Sequence, residues 1–201
     1  MRCTLAARRM IGFSSMKEDN AAKYVDPSAS PDDELVREVY ARFGLCIYLS
    51  QVFETSLINI LTQLATASSS SPTRQMFDTL YAQHELLTFG NLIKALALHS
   101  FLPKQLLDEA LQRKRDRDLL AHRYLRDRDM DFMTVGGCQM MIEELKNCCD
   151  KFSALDERVT KFERPALANR GLGVTEEKLR EEVRKRLLAA QAKYRAEAPD
   201  S

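Results

Sequence analysis

The chain has 201 residues, 45% of them hydrophobic and 29% charged, with 30 Lys and Arg against 29 Asp and Glu for a net charge of +1. That is enough apolar material for one domain with an extension, and it excludes an overall basic nucleic-acid coat and an acidic tail protein. Only 7 Gly and 6 Pro are present, which disfavours β-sandwiches, barrels and glycine-rich cofactor loops.

The five cysteines, Cys3, Cys46, Cys138, Cys148 and Cys149, form no CxxC pair. Neither a disulfide framework nor a zinc knuckle is expected, and a reducing compartment is the simpler reading. Met1 to Phe13 carries Arg2, Arg8 and Arg9 around an apolar run too short for a signal peptide. The charge-free run Thr55 to Thr73 ends in Ser69, Ser70, Ser71 and Pro72 and is too polar to span a bilayer. The expectation is a cytoplasmic protein with no membrane contact.

Residues 1–29 are expected to form a flexible arm. Ser30 is a candidate N-cap, Pro31 suits a first helical position, and Asp32 and Asp33 favour the positive helix end. From there to about Ala67 no stop signal occurs. Leu35, Val36, Val39, Tyr40 and Phe43 lie on one stripe. From Phe43 onward apolar residues cover much of the circumference, as in a central helix. Gly44 could admit a close helix–helix approach. Ser68 to Pro72 is a break.

A second helix is expected over 73–87, with a junction at 88–91 and a continuation over 92–99. Pro103 opens the next helix, which carries Leu106, Leu107, Ala110, Leu111, Leu119, Leu120 and Tyr124 to about Arg128. Thr134 is a candidate cap for a helix from about 135 to 163. Pro165, Gly171 and Gly173 mark a linker over 164–174. Thr175 then starts an amphipathic helix, 175–201, with a narrow apolar stripe at Leu179, Val183, Leu187 and Tyr194. No stretch alternates like a strand for long. The expected fold is all-α, a bundle of four or five helices over 30–163 with a C-terminal satellite helix.

Three histidines are present. His84 has Thr88 at i+4, where a zinc-binding helix needs a second His. His99 closes a helix, where a cation opposes the dipole favourably. No Glu stands three residues before any His, as a carboxylate-bridged bundle site requires, so no metal site is expected. His122 has richer company, in the run Arg113-Lys114-Arg115-Asp116-Arg117-Asp118-Leu119-Leu120-Ala121-His122-Arg123-Tyr124.

Asp118, one turn before His122, is placed to fix its tautomer. Arg115, two turns before, shares its face. Guanidiniums such as Arg115, Arg117 and Arg123 can hold a phosphate bidentately. His, Asp and several Arg within a few turns suit phosphodiester chemistry, with one general acid/base and several anion stabilisers. The bland alternative is a solvated face laced with ion pairs. Arg117 and His122, five apart, point about 140° away from each other on an ideal helix. Arg115 is therefore a rival for the phosphate-binding role.

Arg117-Asp118-Leu119-Leu120-Ala121-His122 resembles the Arg-polar-x-x-x-His signature of HEPN domains, and Tyr124 extends it to the Arg-x4-His-x-Tyr form of HEPN toxins in toxin–antitoxin pairs. The resemblance covers about 30–160. It implies a homodimeric, metal-independent endoribonuclease without a cofactor, acting as a toxin or phage-defence effector, with the two motif helices facing each other. His122 would be acid/base toward the RNA 2′-hydroxyl, Arg117 would bind the scissile phosphate, and Asp118 would orient the groups. A 2′,3′-cyclic phosphate would result. Tyr124 would be the residue to which a nucleotidyltransferase antitoxin attaches AMP. The competing expectation is a non-catalytic helical interaction module in which the terminal helix binds a partner.

Overall fold

A computed structural model describes residues 26–169 and 176–196. The described chain divides at 163/164, where residues 26–163 end one compact unit and the following residues belong to another. Every regular element among the described residues is helical.

Helix α1 runs Asp33–Ala67. Its cap is Asp32, whose Oδ1 accepts from Leu35 N at 2.8 Å, so the helix begins two residues later than Ser30 and Pro31 suggest. A carboxylate satisfies the first free amides and adds charge against the helix dipole. Val39, Cys46, Phe53, Leu57, Ile60, Leu61 and Leu64 form its core face, and residues 57–62 are buried on all sides. Buried hydroxyls are satisfied locally: Thr62 Oγ1 donates to Ile58 O at 2.8 Å and Thr66 Oγ1 to Thr62 O at 2.7 Å. Gly44 has nothing within 4 Å of where a Cβ would sit, so the expected close approach does not occur among the described residues. Among the described residues α1 alone is long and apolar enough to cross a membrane, and 44% of that apolar window is buried in the fold.

Helix α2, Arg74–Glu85, is capped by Thr73. Helix α3, Phe89–Leu98, is capped by Thr88, whose Oγ1 accepts from Asn91 N at 3.3 Å. The expected junction 88–91 is therefore already the first turn of α3. Phe89 is buried there, edge-on to Phe53 at 5.8 Å. Helix α4, Lys104–His122, follows Pro103. The sequence pattern runs on to about Arg128, but the helix breaks at Arg123, with φ −137° and ψ −31°. A short turn, α5, covers Tyr124–Asp127. A 3₁₀ turn, Asp131–Met133, then leads into α6, Val135–Ala168.

Thr134 caps α6 as expected, accepting from Gly137 N at 3.1 Å. Residues 26–29, expected in the arm, are pinned to this helix start: Val135 N donates to Ala29 O and Gly136 N to Pro27 O, each at 2.9 Å. These two bonds satisfy amides that a helix N-terminus leaves free. A Cβ at Gly137 would lie 2.2 Å from Asp131 O, so the turn can close only over a glycine. Met141, Leu145, Phe152, Leu155 and Val159 bury the inner face of α6.

The expected linker starts late, because α6 continues through Pro165 to Ala168; proline's φ suits a helix even though its ring nitrogen donates nothing. Helix α7, Glu176–Ala196, is laced by Lys185–Glu181 and Arg186–Glu182 pairs four residues apart. The rest of the expected arm (1–25), residues 170–175 of the linker and 197–201 lie outside the described residues.

Candidate functional site

The charged run 113–128 holds seven basic and three acidic residues. Ion pairs take up most of that charge. Arg113 Nη1 lies 2.9 Å from Asp116 Oδ2. Lys114 pairs with Asp118. Arg117 reaches Asp118 at 3.3 Å and Glu54 of α1 at 3.8 Å. Arg123 Nη2 holds Asp127 at 2.9 Å. Arg128 bridges Asp131 at 3.1 Å and Glu144 of α6 at 2.5 Å.

Asp118 thus faces Lys114, one turn before it, rather than His122, one turn after. Its carboxyl is held below the usual range by the hydrogen bond from Lys114, which outweighs burial; the Lys114 charge and then Arg117 add to the lowering. Glu54 goes the other way. Burial raises it, Arg117 partly offsets that, and Asp118 adds to it.

Arg117 and His122 stay apart within one chain. Both lie in α4, so the break at Arg123 does not rotate one toward the other. Arg117 is turned toward Glu54, and His122, the last residue of α4, is exposed. The residues that do share the exposed face are Leu111, Arg115, Leu119 and His122, within about 80° of each other around the helix. Leu111 and Leu119 remain 39% and 45% exposed. Arg115 donates to Gln112 Oε1 at 3.3 Å, and no acidic side chain pairs with it among the described residues. It is the guanidinium left available for an anion beside His122.

Tyr124 is placed differently. The break turns it inward to 6% exposure. Its ring stacks on Phe43 at 6.3 Å and lies under the Arg128 guanidinium at 6.0 Å. Its hydroxyl donates to Glu144 Oε2 at 3.1 Å. Burial first, then the Glu144 charge and hydrogen bond, push the phenol well above its usual value. The group is a proton donor locked into the fold, and modification requires it to swing out.

Glu54, Lys114 and Glu144 were not evident as partners from the sequence. Glu54 alone left a signal, as the single charge between Phe43 and Ala67. The remaining histidines are structural neighbours. The Thr62 proton is committed to Ile58 O, so at the 2.9 Å contact His84 Nδ1 donates to Thr62 Oγ1. Burial, then His99, lowers the His84 pKa.

A shallow groove along α6, lined by Met140, Glu143, Glu144, Lys146, Asn147 and Asp150, carries three carboxylates against one ammonium and does not suit an anion. No group of His, Cys, Asp or Glu among the described residues is arranged to hold a metal ion. No protein-family model matches the chain, and comparisons with curated proteins and with solved structures give no match either.

Proposed function

We propose that this chain is a metal-independent endoribonuclease of the HEPN type, working in the cytoplasm as a homodimer and serving as a toxin or phage-defence effector. One observation carries the reading: His122 and Arg115, two turns apart, share one exposed face of α4 with Leu111 and Leu119. Two such faces brought together would bury the leucines and set two imidazoles and several guanidiniums around one RNA phosphate. The metal-independence and the dimer come from the family resemblance of Arg117-x4-His122-x-Tyr124.

In this reaction the 2′-oxygen attacks phosphorus and the 5′-oxygen leaves, giving a 2′,3′-cyclic phosphate and a 5′-hydroxyl. One His122 takes the 2′-hydroxyl proton, and its counterpart gives a proton to the leaving oxygen. Arg115 neutralises the phosphate. Arg117, with Glu54 and Asp118, supports the helix from behind and joins the anion site only by exchanging Glu54 for phosphate. Adenylylation of Tyr124 by a nucleotidyltransferase antitoxin would require breaking its bond to Glu144, and would place a phosphate near the RNA path.

The test is cleavage of RNA in EDTA by the purified protein, beside His122→Ala and Arg115→Ala. Loss of general acid/base catalysis lowers the rate about 10²- to 10⁴-fold. Intact RNA with folded protein, shown by mass to carry no AMP, would sink the reading. The pairing of Arg117, Asp118, Lys114 and Glu54 among themselves favours a second reading, a non-catalytic interaction module. It expects His122→Ala to change nothing and Leu111→Asp or Leu119→Asp, or removal of 175–201, to abolish partner binding.

A further inference from the structure

One pair of rings at the surface takes no part in the site described above. Tyr40 of α1 stacks on Phe132 of the 3₁₀ turn, with centroids 5.4 Å apart and planes 29° from parallel. Phe132 is half-buried and covers one side of the tyrosine ring, while Tyr40 as a whole stays 54% exposed. An exposed tyrosine by itself needs no explanation. This one has a second ring behind it, and that ring is itself anchored. Phe132 N donates to Arg128 O at 3.4 Å, and Asp131, its neighbour in the chain, holds the Arg128 guanidinium at 3.1 Å. A ring braced in this way loses little rotamer freedom when a ligand stacks on its open side.

Charge and position narrow the choice of ligand. Arg37, one turn earlier on α1, lies on the same side of the helix as Tyr40. It is exposed and has no acidic partner among the described residues. An open aromatic ring beside an unpaired guanidinium suits a nucleobase and its phosphate. The stack also adjoins the joint that follows His122. Arg128 lies over the Tyr124 ring at 6.0 Å, and Tyr124 stacks on Phe43, one turn along α1 from Tyr40. His122 precedes Tyr124 by two residues.

We propose that the open face of Tyr40 is a stacking platform for a base of single-stranded RNA, with Arg37 at the adjoining phosphate. The choice of RNA rests on the endoribonuclease reading. Stacking uses the π-face that every base presents, so the platform grips a strand without selecting its sequence. Bases inside a duplex have both faces covered and do not fit.

The chain contains no Trp, so full-length Tyr40→Trp carries one indole that reports stacking. The probe is a 2′-O-methyl oligouridylate of about eight nucleotides, which lacks the attacking hydroxyl and is not cleaved. It is expected to quench the introduced indole saturably, and a duplex of the same length is expected to leave it bright. By anisotropy of the labelled probe, Tyr40→Ala is expected to weaken binding about 5- to 100-fold, Tyr40→Phe to retain it, and Arg37→Gln to lessen its salt dependence. Tyr48→Ala, which removes another exposed tyrosine two turns along α1, is expected to leave binding unchanged. Absence of quenching, or equal losses from Tyr40→Ala and Tyr48→Ala, overturns the platform. So does an indole signal that changes with protein concentration alone, which would put a second copy on the ring. The quenching result stands even if Tyr40→Ala fails to fold. Quenching by a strand that the protein leaves intact as ordinary RNA keeps the platform and sinks the nuclease, whereas cleavage without quenching does the reverse.

Discussion

The two halves of one charged run behave in opposite ways. Before Arg123, Arg115 and His122 sit on an open helix face with leucines on either side. After it, Tyr124 is buried and joins Arg128 in a partly exposed network with Glu144, Asp131 and Phe43. Composition is nearly the same on both sides, and what separates them is a single non-helical residue. The break lets Tyr124 bury a large ring while its hydroxyl finds an acceptor, which a buried phenol needs. The first half keeps Arg115 and His122 in water, where they are free to meet a ligand. A run of Arg and Asp is therefore two objects here, a ligand-facing surface and a structural joint.

The joint should be costly to remove. Tyr124→Ala is expected to lose about 3–5 kcal/mol of stability, by ring burial and the cavity left behind, whereas Tyr124→Phe should lose only about 1 kcal/mol. Urea unfolding of both variants measures this, and equal losses would show that the hydroxyl rather than the ring holds the joint. Gly137→Ala should cost on the order of 3 kcal/mol, because the new methyl meets Asp131 O at 2.2 Å and the turn must open. A thermal melt unchanged by this substitution would mean that residues 131–137 do not hold this close approach.

Two histidines extend the contrast. His84 is partly buried against Thr62, with a pKa lowered by burial and by His99. The unfolded chain therefore takes up the proton first. Its contribution to stability is complete above about pH 6.5 and is lost as the pH falls from there toward the folded value. The urea midpoint is expected to drop across this window and to flatten in His84→Gln. A midpoint that rises as the pH falls would reverse the assignment. The smallest effect belongs to the open face. His122→Ala and Arg115→Ala should each change stability by no more than about 0.5 kcal/mol. A larger loss from either would make the face part of the fold rather than a ligand surface.

Much of the architecture could be read from local chemistry. The apolar period places α1, α4 and α6, and the Thr73 and Thr134 caps need only a hydroxyl before an apolar stripe. The all-helical class follows from those patterns. Thr88 was harder, because Phe89-Gly90-Asn91 has poor helix propensity and is held by burial of Phe89 against Phe53. That Arg115 and His122 share an exposed face follows from helix periodicity alone, since residues seven apart return to nearly the same direction.

What periodicity could not supply is every partner distant in the chain. Glu54 behind Arg117 and Glu144 on Tyr124 each join residues from different helices. Such pairs depend on how the helices pack. The break at Arg123 has the same origin: Tyr124–Leu125–Arg126–Asp127 could continue α4, and only the space between Phe43 and Glu144 makes turning inward the better bargain. Local pattern thus set the helices and the outward face of the motif, while the choice of which charges are spent inside and which stay available came from the packing of α1, α4 and α6 around a shared core.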